Sequence, residues 1–293
     1  MEEIILKARG KINLSLDITG KRKDGYHLVD MIMQSIDIYD TIKIKKRDDK
    51  EIKIFCSNPE IPSNNSNLAY KAARIILDKY DLREGVNIHI DKKIPMAAGM
   101  AGGSSNAAAV LVGINELFSL NIGLNSLKTL GLILGADVPF CIEGGSIRAQ
   151  GIGEVLSDVP FMDITVLICK PNDSASTEMV YKKFDINQPY PRPDNERLIE
   201  GLREKSLEKI SSSMANSLES VTPNLISDID KIKNIMTKGK AVFSMMTGSG
   251  PTVFGLYKND EDAYLDFEKL SKEFKDTYIT KTSKGGVEIE SRY

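Results

Sequence analysis

A run of small residues from Pro95 to Ser105 most constrains this chain, because it separates a predicted strand from a predicted helix. Small side chains let the backbone approach a ligand closely, and the free N–H groups at the start of a helix favour an anion such as phosphate. A tight strand-to-helix turn with close packing would need the same residues. The loop alone leaves both interpretations open.

The loop does not match the usual phosphate-binding signatures. No Gly-Lys-Ser/Thr follows its glycines, and it does not read Gly-x-Gly-x-x-Gly. A cation for bound phosphates must therefore come from Mg²⁺ or from a distant lysine. We predict that Ser104 is the N-cap of the following helix, which runs to Leu120.

A second loop of small residues, Thr247 to Thr252, joins two apolar strands in the C-terminal half. A hairpin turn would explain this loop without any function. Two such loops, one in each half of the chain, suggest a ligand held in a cleft between them.

Size and composition restrict the class of protein. The 293 residues suit one large domain or two smaller ones that share a cleft. Strands and helices mix without a strict βαβ order, so we predict an α+β fold, with domains at 1–152 and 153–293. A net charge of −2 gives no support for nucleic-acid binding. We expect no membrane span and no leader peptide, hence a cytoplasmic location, and three scattered cysteines with two histidines predict no metal centre.

The first strand reads as an alternation of apolar and polar residues from Lys11 to Ile18. Alternation predicts a half-buried strand, with Lys11 and Asn13 on its polar face. The predicted apolar face carries Ile12, Leu14, Leu16 and Ile18.

The loop from Pro95 to Ser105 resembles the phosphate loop of the GHMP kinases, which include galactokinase, homoserine kinase and mevalonate kinase. Four further segments extend the resemblance, in chain order; the first three resemble motifs of one branch of that family, and the fourth resembles the third motif of the family as a whole. These are Lys11-Ile12-Asn13-Leu14, Asp24-Gly25-Tyr26-His27, Leu134-Gly135-Ala136-Asp137-Val138-Pro139 and Thr247-Gly248-Ser249-Gly250.

The resemblance implies an N-terminal domain like domain 2 of ribosomal protein S5, a ferredoxin-like C-terminal domain, and a site in the cleft between them. It implies transfer of the γ-phosphoryl group of ATP, carried with Mg²⁺, to a hydroxyl of a cytidine-diphosphate-linked sugar alcohol in non-mevalonate isoprenoid precursor synthesis. The chain would act as a monomer or weak homodimer. A kinase of the homoserine or mevalonate type, or a non-catalytic nucleotide-binding relative, remains the alternative.

The same resemblance implies roles for individual residues. Asp137 would be the catalytic base and Lys11 its cationic partner, although an aspartate can simply cap a turn and a lysine can be solvated on a sheet. ATP would contact Asn67, Pro95, Met96, Ala97, Ala98, Gly99, Met100, Ala101, Gly102, Gly103, Ser104 and Ser105. The second substrate would contact Asn13, Tyr26, His27, Thr177 and Tyr181.

The phosphate loop departs from the family pattern at three positions. Ala97 and Ala101 stand where glycine is common, and Met100 stands where leucine is common. Alanine does not comfortably adopt positive φ. Either both alanines have negative φ, or the loop differs slightly in shape.

Overall fold

The computed structural model describes all 293 residues as a chain of eleven strands and nine α-helices. The strands are β1 (Glu3–Lys21), β2 (His27–Arg47), β3 (Ile52–Cys56), β4 (Gly85–Asp91), β5 (Ser146–Gly151), β6 (Val155–Asp158), β7 (Thr165–Cys169), β8 (Phe243–Met246), β9 (Val253–Tyr257), β10 (Thr277–Lys281) and β11 (Val287–Arg292). The helices are α1 (Leu68–Lys79), α2 (Gly102–Leu117), α3 (Leu124–Leu134), α4 (Val138–Glu143), α5 (Thr177–Lys183), α6 (Asn195–Glu204), α7 (Leu207–Ser213), α8 (Asp228–Lys238) and α9 (Asp260–Leu270).

The first sheet has seven strands and is built around the long hairpin of β1 and β2. Its main order is β11-β1-β2-β4-β3, and β5 pairs with the first half of β2 and then with β6 at the edge. β3 and β4 pair in parallel, whereas the other neighbours are antiparallel. Helix α2 packs against β1 and β2, and this contact places the N-terminus of α2 beside the middle of β1.

The second sheet has four antiparallel strands in the order β10-β7-β9-β8. Helices α5 to α8 connect β7 to β8, and α9 connects β9 to β10. This order of strands with its two helical connections is that of a ferredoxin-like domain, and it confirms the expected architecture of the C-terminal half.

A β-bulge at Leu14 divides the two faces of β1. Asn13 pairs with Met33 and Leu16 pairs with Met31, so the extra residue between them puts Asn13 and Leu16 on the same face. The prediction that Ile12, Leu14, Leu16 and Ile18 share a face is therefore wrong. Instead, Lys11 and Asn13 lie on the face that continues as Leu16 and Ile18.

Because of the bulge, β1 contributes side chains to two hydrophobic clusters. Ile12 and Leu14 are fully buried in a cluster between the two sheets that also contains Val166 and Phe254. Leu16 belongs to the larger cluster beneath the helices. Each fully buried aliphatic side chain contributes about 1.5–3 kcal/mol, so the contact between the sheets holds the two halves firmly against each other.

The two halves are also linked by the chain itself. β6 lies at the edge of the first sheet, and β11, the last strand, returns to that sheet and pairs with β1 from Ile4 to Ala8. The division at residues 152 and 153 stays a prediction, but by their strand pairing β6 and β11 belong to the first sheet. Local sequence pattern did not show this return, because it depends on pairing between the two ends of the chain.

Candidate active site

A cleft of about 1160 Å³ runs between the two halves and is large enough for two ligands that meet end to end. It brings together most of the residues singled out from the sequence. Its walls include Lys11, Asn13, Tyr26, His27, Asn67, Asp137, Thr177, Tyr181 and the loop from Pro95 to Ser104.

The phosphate loop ends in an unusual helix start. Helix α2 begins at Gly102, and Ala101 occupies its N-cap position in the left-handed conformation with φ of 58° and no side-chain cap. The prediction that Ser104 caps this helix is wrong, since the helix starts two residues earlier. Without a capping side chain, the first N–H groups of α2 face the cleft unsatisfied, which is the arrangement that binds phosphate at helix N-termini.

The two alanines of the loop adopt positive φ, at 47° for Ala97 and 58° for Ala101. The loop thus keeps a backbone shape suited to glycine although it carries alanine. Left-handed alanine costs roughly 1–2 kcal/mol per residue. The surrounding contacts must therefore hold this loop in place.

Ser105 does not line the cleft. Its side chain is fully buried, and its hydroxyl donates to the carbonyl of Arg9 at 2.6 Å. Its backbone N–H donates to the carbonyl of Ala101 at 2.9 Å. Both donors are occupied inside the protein, so these bonds give no support to the expected contact of Ser105 with ATP, which stays a prediction.

Asn67 lines the cleft, and its side chain also caps the N-terminus of α1. Its side-chain oxygen Oδ1 accepts the backbone N–H of Ala69 at 2.8 Å, and its side-chain NH₂ group donates to the carbonyl of Pro62 at 2.7 Å. Because these bonds use one donor and one acceptor, part of the Asn67 amide remains free to contact a base.

The two small-residue loops touch each other across the cleft. A Cβ atom on Gly99 would overlap the carbonyl oxygen of Thr247, so only glycine fits there. Gly99 has φ of 71°, and Gly248 on the opposite loop has φ of 57°. This close approach joins the phosphate loop directly to the second loop, whereas the sequence suggested a ligand held between them.

Lys11 lies where these loops meet. Its ammonium donates to Asn13 Oδ1 at 2.6 Å and to the carbonyl of Gly99 at 2.8 Å. The Lys11 backbone N–H donates to the carbonyl of Met100 at 3.2 Å. Lys11 is 4% exposed and is therefore not a solvated lysine on a sheet face.

Asp137 stands at the N-cap position of α4 but does not cap it with its side chain. A Cβ atom on Gly131 would come within 2.8 Å of Val138, so the glycine lets α3 pack closely on the start of α4. Asp137 forms no ion pair with Lys11, whose ammonium is held by Asn13 and Gly99. The half-buried carboxylate faces the cleft with both oxygens free to accept a proton or a hydrogen bond.

Aromatic side chains form the far end of the cleft. The rings of His27 and Tyr181 lie 5.4 Å apart, and Phe184 meets His27 edge to face at 6.1 Å. Tyr26 is 62% exposed at the rim. This arrangement offers a planar base an aromatic wall beside an imidazole.

The surroundings shift the pKa values of two groups at this end of the cleft. Burial, followed by the nearby charge of Lys21, lowers the pKa of His27 below its ordinary value of 6.5. The imidazole is therefore neutral at pH 7 and has one donor and one acceptor. Burial, followed by the charge of Asp137, raises the pKa of the Tyr181 hydroxyl, so it remains a hydrogen-bond donor.

Several cleft residues were not assigned to the site by the sequence analysis, although Ser249 lies in one of its motifs. Ser249 of the second loop lines the cleft, and its hydroxyl lies 2.9 Å from that of Thr177. Lys92 and Asn106 line it from either side of the phosphate loop. Lys92 lies three residues before the loop and Asn106 directly follows it, so position was the signal available.

Comparison with known proteins agrees with this geometry. The family model described as GHMP kinases N terminal domain matches residues 67–145, and the one described as GHMP kinases C terminal matches residues 198–276. Together they cover more than half of the chain.

Two relatives named 4-diphosphocytidyl-2-C-methyl-D-erythritol kinase are similar along almost the whole length. The protein from Clostridioides difficile is 52% identical over 99% of this chain and 98% of its own. The protein from Alkaliphilus oremlandii is 47% identical over 99% of this chain and all of its own.

Solved structures show the same fold. A crystal structure of 4-(cytidine 5'-diphospho)-2C-methyl-D-erythritol kinase superposes with a TM-score of 0.82 at 27% identity, covering 96% of this chain and 99% of that one. Homoserine kinase from Cytophaga hutchinsonii gives a TM-score of 0.79 at 18% identity over 99% and 98% of the two chains, a likeness of fold. The first half thus has the expected N-terminal fold of these kinases, and the chain belongs to the GHMP kinase family, in its group of 4-diphosphocytidyl-2-C-methyl-D-erythritol kinases.

Proposed function

We propose that this protein transfers the γ-phosphoryl group of ATP to the 2-hydroxyl of 4-diphosphocytidyl-2-C-methyl-D-erythritol, in the non-mevalonate route to isoprenoid precursors. The observation that carries the proposal is the free carboxylate of Asp137, which faces the same cleft as Lys11, the phosphate loop and the aromatic end. The relatives that share nearly the full length bear the name of this kinase.

In this proposal the loop from Pro95 to Ser104 and the N-terminus of α2 hold the phosphates of ATP. Their N–H groups and the positive end of the helix dipole favour the phosphate charge. Asn67 lies at the start of α1, on the wall where the adenine would bind.

The chemical step then needs little covalent participation from the protein. The Asp137 carboxylate accepts the proton of the 2-hydroxyl, the hydroxyl oxygen forms a bond to the γ-phosphorus, and the bond from that phosphorus to the β-bridging oxygen breaks to release ADP. The ammonium of Lys11 stabilises negative charge on the transferring group. Asn13 fixes the direction of that ammonium through its 2.6 Å hydrogen bond.

In this proposal Mg²⁺ binds together with ATP. No three His, Cys, Asp or Glu side chains are grouped as a metal cage, so we infer that Mg²⁺ is held chiefly by the ATP phosphates. Mg²⁺ would neutralise part of the phosphate charge.

The aromatic end distinguishes this substrate from those of other family members. His27, Tyr26 and Tyr181 provide stacking and polar contacts for a cytosine base, and stacking contributes about 1–3 kcal/mol per base. Thr177 lies beside Ser249, on the side where the sugar alcohol would bind. Homoserine and mevalonate have no base for this end to recognise.

ADP release with Mg·ATP and three acceptors tests the proposal. We expect turnover with the cytidylated substrate and at least about a hundredfold lower kcat/KM with homoserine or mevalonate, because these lack the stacking contacts. Preference for homoserine or mevalonate would assign the chain to that type of kinase. ATP binding without turnover of any acceptor would indicate a non-catalytic relative.

We further infer a cytoplasmic monomer or weak homodimer that acts on a small molecule and binds no nucleic acid. The net charge of −2 supports the last point. None of the helices combines the length and the apolar character needed to cross a membrane. Sedimentation of the purified protein would measure the oligomeric state.

A further inference from the structure

Asp40, in the middle of β2, is a fully buried carboxylate that lies outside the cleft wall. It accepts hydrogen bonds from four donors. Oδ1 accepts the backbone N–H groups of Lys93 at 2.7 Å and Ile94 at 2.9 Å. Oδ2 accepts the Lys92 ammonium and the side-chain amide of Asn106, the latter at 2.7 Å.

These donors lie at the two ends of the phosphate loop. Lys92 to Ile94 lead directly into Pro95, where the loop begins, whereas Asn106 lies in α2, just after the loop ends. The Lys92 ammonium also packs against the first residue of α2, since a Cβ on Gly102 would lie 3.1 Å from it. One carboxylate therefore fastens the entrance and the exit of the loop to the same point of the sheet.

The loop requires such support. Ala97 and Ala101 have positive φ, and strained backbone persists only where the surrounding structure determines it. Without Asp40, the Lys92 ammonium and the Asn106 amide would each lose a buried partner. Loss of a partner in a buried charged network is costly and allows the attached segments to move.

We propose that Asp40 is a positioning residue for ATP, which acts by fixing both ends of the phosphate loop so that its N–H groups and those of α2 converge on the phosphates. The inference rests on the proposed function in taking this loop as the ATP site. It assigns Asp40 no contact with either substrate. Its loss should therefore weaken ATP binding while leaving the cytidine end intact.

Calorimetric titration of Asp40→Asn tests this directly. The amide keeps the shape of the side chain but turns an NH₂ group toward Lys92 and Asn106, which are themselves donors. We expect the Kd of a non-hydrolysable ATP analogue to rise about tenfold or more, since misplacement by about 1 Å is costly. The Kd of cytidine diphosphate at the aromatic end should change less than about twofold.

Asp266 offers a matched control in the second half of the chain. Its carboxylate is also fully buried and accepts from the Lys240 N–H, the Tyr257 hydroxyl and the Lys269 ammonium. Asp266→Asn should lower the Tm comparably and leave the affinity for the ATP analogue unchanged. An equal loss of ATP affinity in both variants would overturn the proposal and indicate a general effect of instability.

The remaining outcomes also decide the question. If the wild-type chain did not bind the ATP analogue, the proposed function would fall and this inference with it. If wild type bound and Asp40→Asn bound equally well, this inference alone would fall. Should Asp40→Asn not fold, Asp40→Glu keeps the charge but displaces the loop ends, and wild-type ATP affinity in that variant would overturn the proposal.

Discussion

The ammonium of Lys11 donates to the carbonyl of Gly99 at 2.8 Å, and this bond fastens β1 to the phosphate loop. Gly99 in turn touches Thr247 of the second loop, where no side chain fits. Three segments distant in sequence thus meet at one point. In the proposed mechanism, the geometry of phosphoryl transfer would depend on how well this contact is maintained.

Replacing Gly99 by alanine should break that contact. The added Cβ would overlap the carbonyl of Thr247, and φ of 71° would strain the alanine itself. We expect the free energy of unfolding to fall by about 2–4 kcal/mol and kcat/KM to fall with it. Gly123→Ala is the control, because nothing lies within 4 Å of a Cβ there and φ is −65°. Equal Tm values for the two variants would contradict the close-packing argument.

Relief of strain should be measurable at Ala101. Ala101→Gly places glycine at φ of 58°, and we expect the free energy of unfolding to rise by about 0.5–1 kcal/mol. Ala107→Gly within the same helix should instead lower the free energy of unfolding by at least about 1 kcal/mol, because glycine disfavours a helix interior and the buried methyl group is lost. Urea denaturation measures both. A loss of stability in Ala101→Gly would show that the left-handed alanine is not strained.

Asp137→Asn separates catalysis from binding. The amide cannot accept the hydroxyl proton, so kcat should fall at least about a hundredfold, while the Kd of an ATP analogue stays within about twofold of wild type. Asp78→Asn, on the exposed surface of α1, should leave both values unchanged. An unchanged kcat in Asp137→Asn would remove Asp137 from the role of base.

The lowered pKa of His27 predicts a pH dependence. We expect the neutral imidazole to be the form that hydrogen-bonds to the cytosine base. KM for the cytidylated substrate should therefore stay constant near pH 7 and rise once the pH falls below the lowered pKa of His27. Because the unfolded chain binds this proton at a higher pH, the folded state should also lose stability as the pH falls below about 6.5.

Lys21 is the partner to test for this shift, since its charge is the second cause after burial. Lys21→Met should raise the His27 pKa, observed by NMR titration of the imidazole. Lys23→Met, two residues away, is the control and should leave that pKa unchanged. A Lys21→Met titration identical to wild type would leave burial as the sole cause.

Sequence pattern predicted the chemistry of the cleft better than its geometry. Lys11, Asp137 and the loop from Pro95 to Ser104 were identified from short motifs, and the cleft contains all of them. Two local predictions failed, the single apolar face of β1 and the Ser104 cap. The bulge at Leu14 depends on register with β2, and the early start of α2 depends on a left-handed Ala101.

The remaining omissions have a common physical cause. Asp40 accepts hydrogen bonds from residues distant along the chain, and its own surroundings in sequence carry no sign of these contacts. Ser249 lies in a motif that the sequence did show, but its contact with Thr177 is equally distant along the chain. Ser105 faces inward because its hydroxyl finds the carbonyl of Arg9, and β11 joins the first sheet by pairing with β1. Local periodicity carries no information about such contacts.

The most direct test of the central claim is ³¹P NMR of the reaction of the wild-type protein with Mg·ATP and 4-diphosphocytidyl-2-C-methyl-D-erythritol. We expect one new phosphomonoester signal per ADP released, coupled to the carbon that carries the 2-hydroxyl, with the diphosphate signals of the substrate retained. ADP formation without that signal, or phosphate on a different hydroxyl, would contradict it.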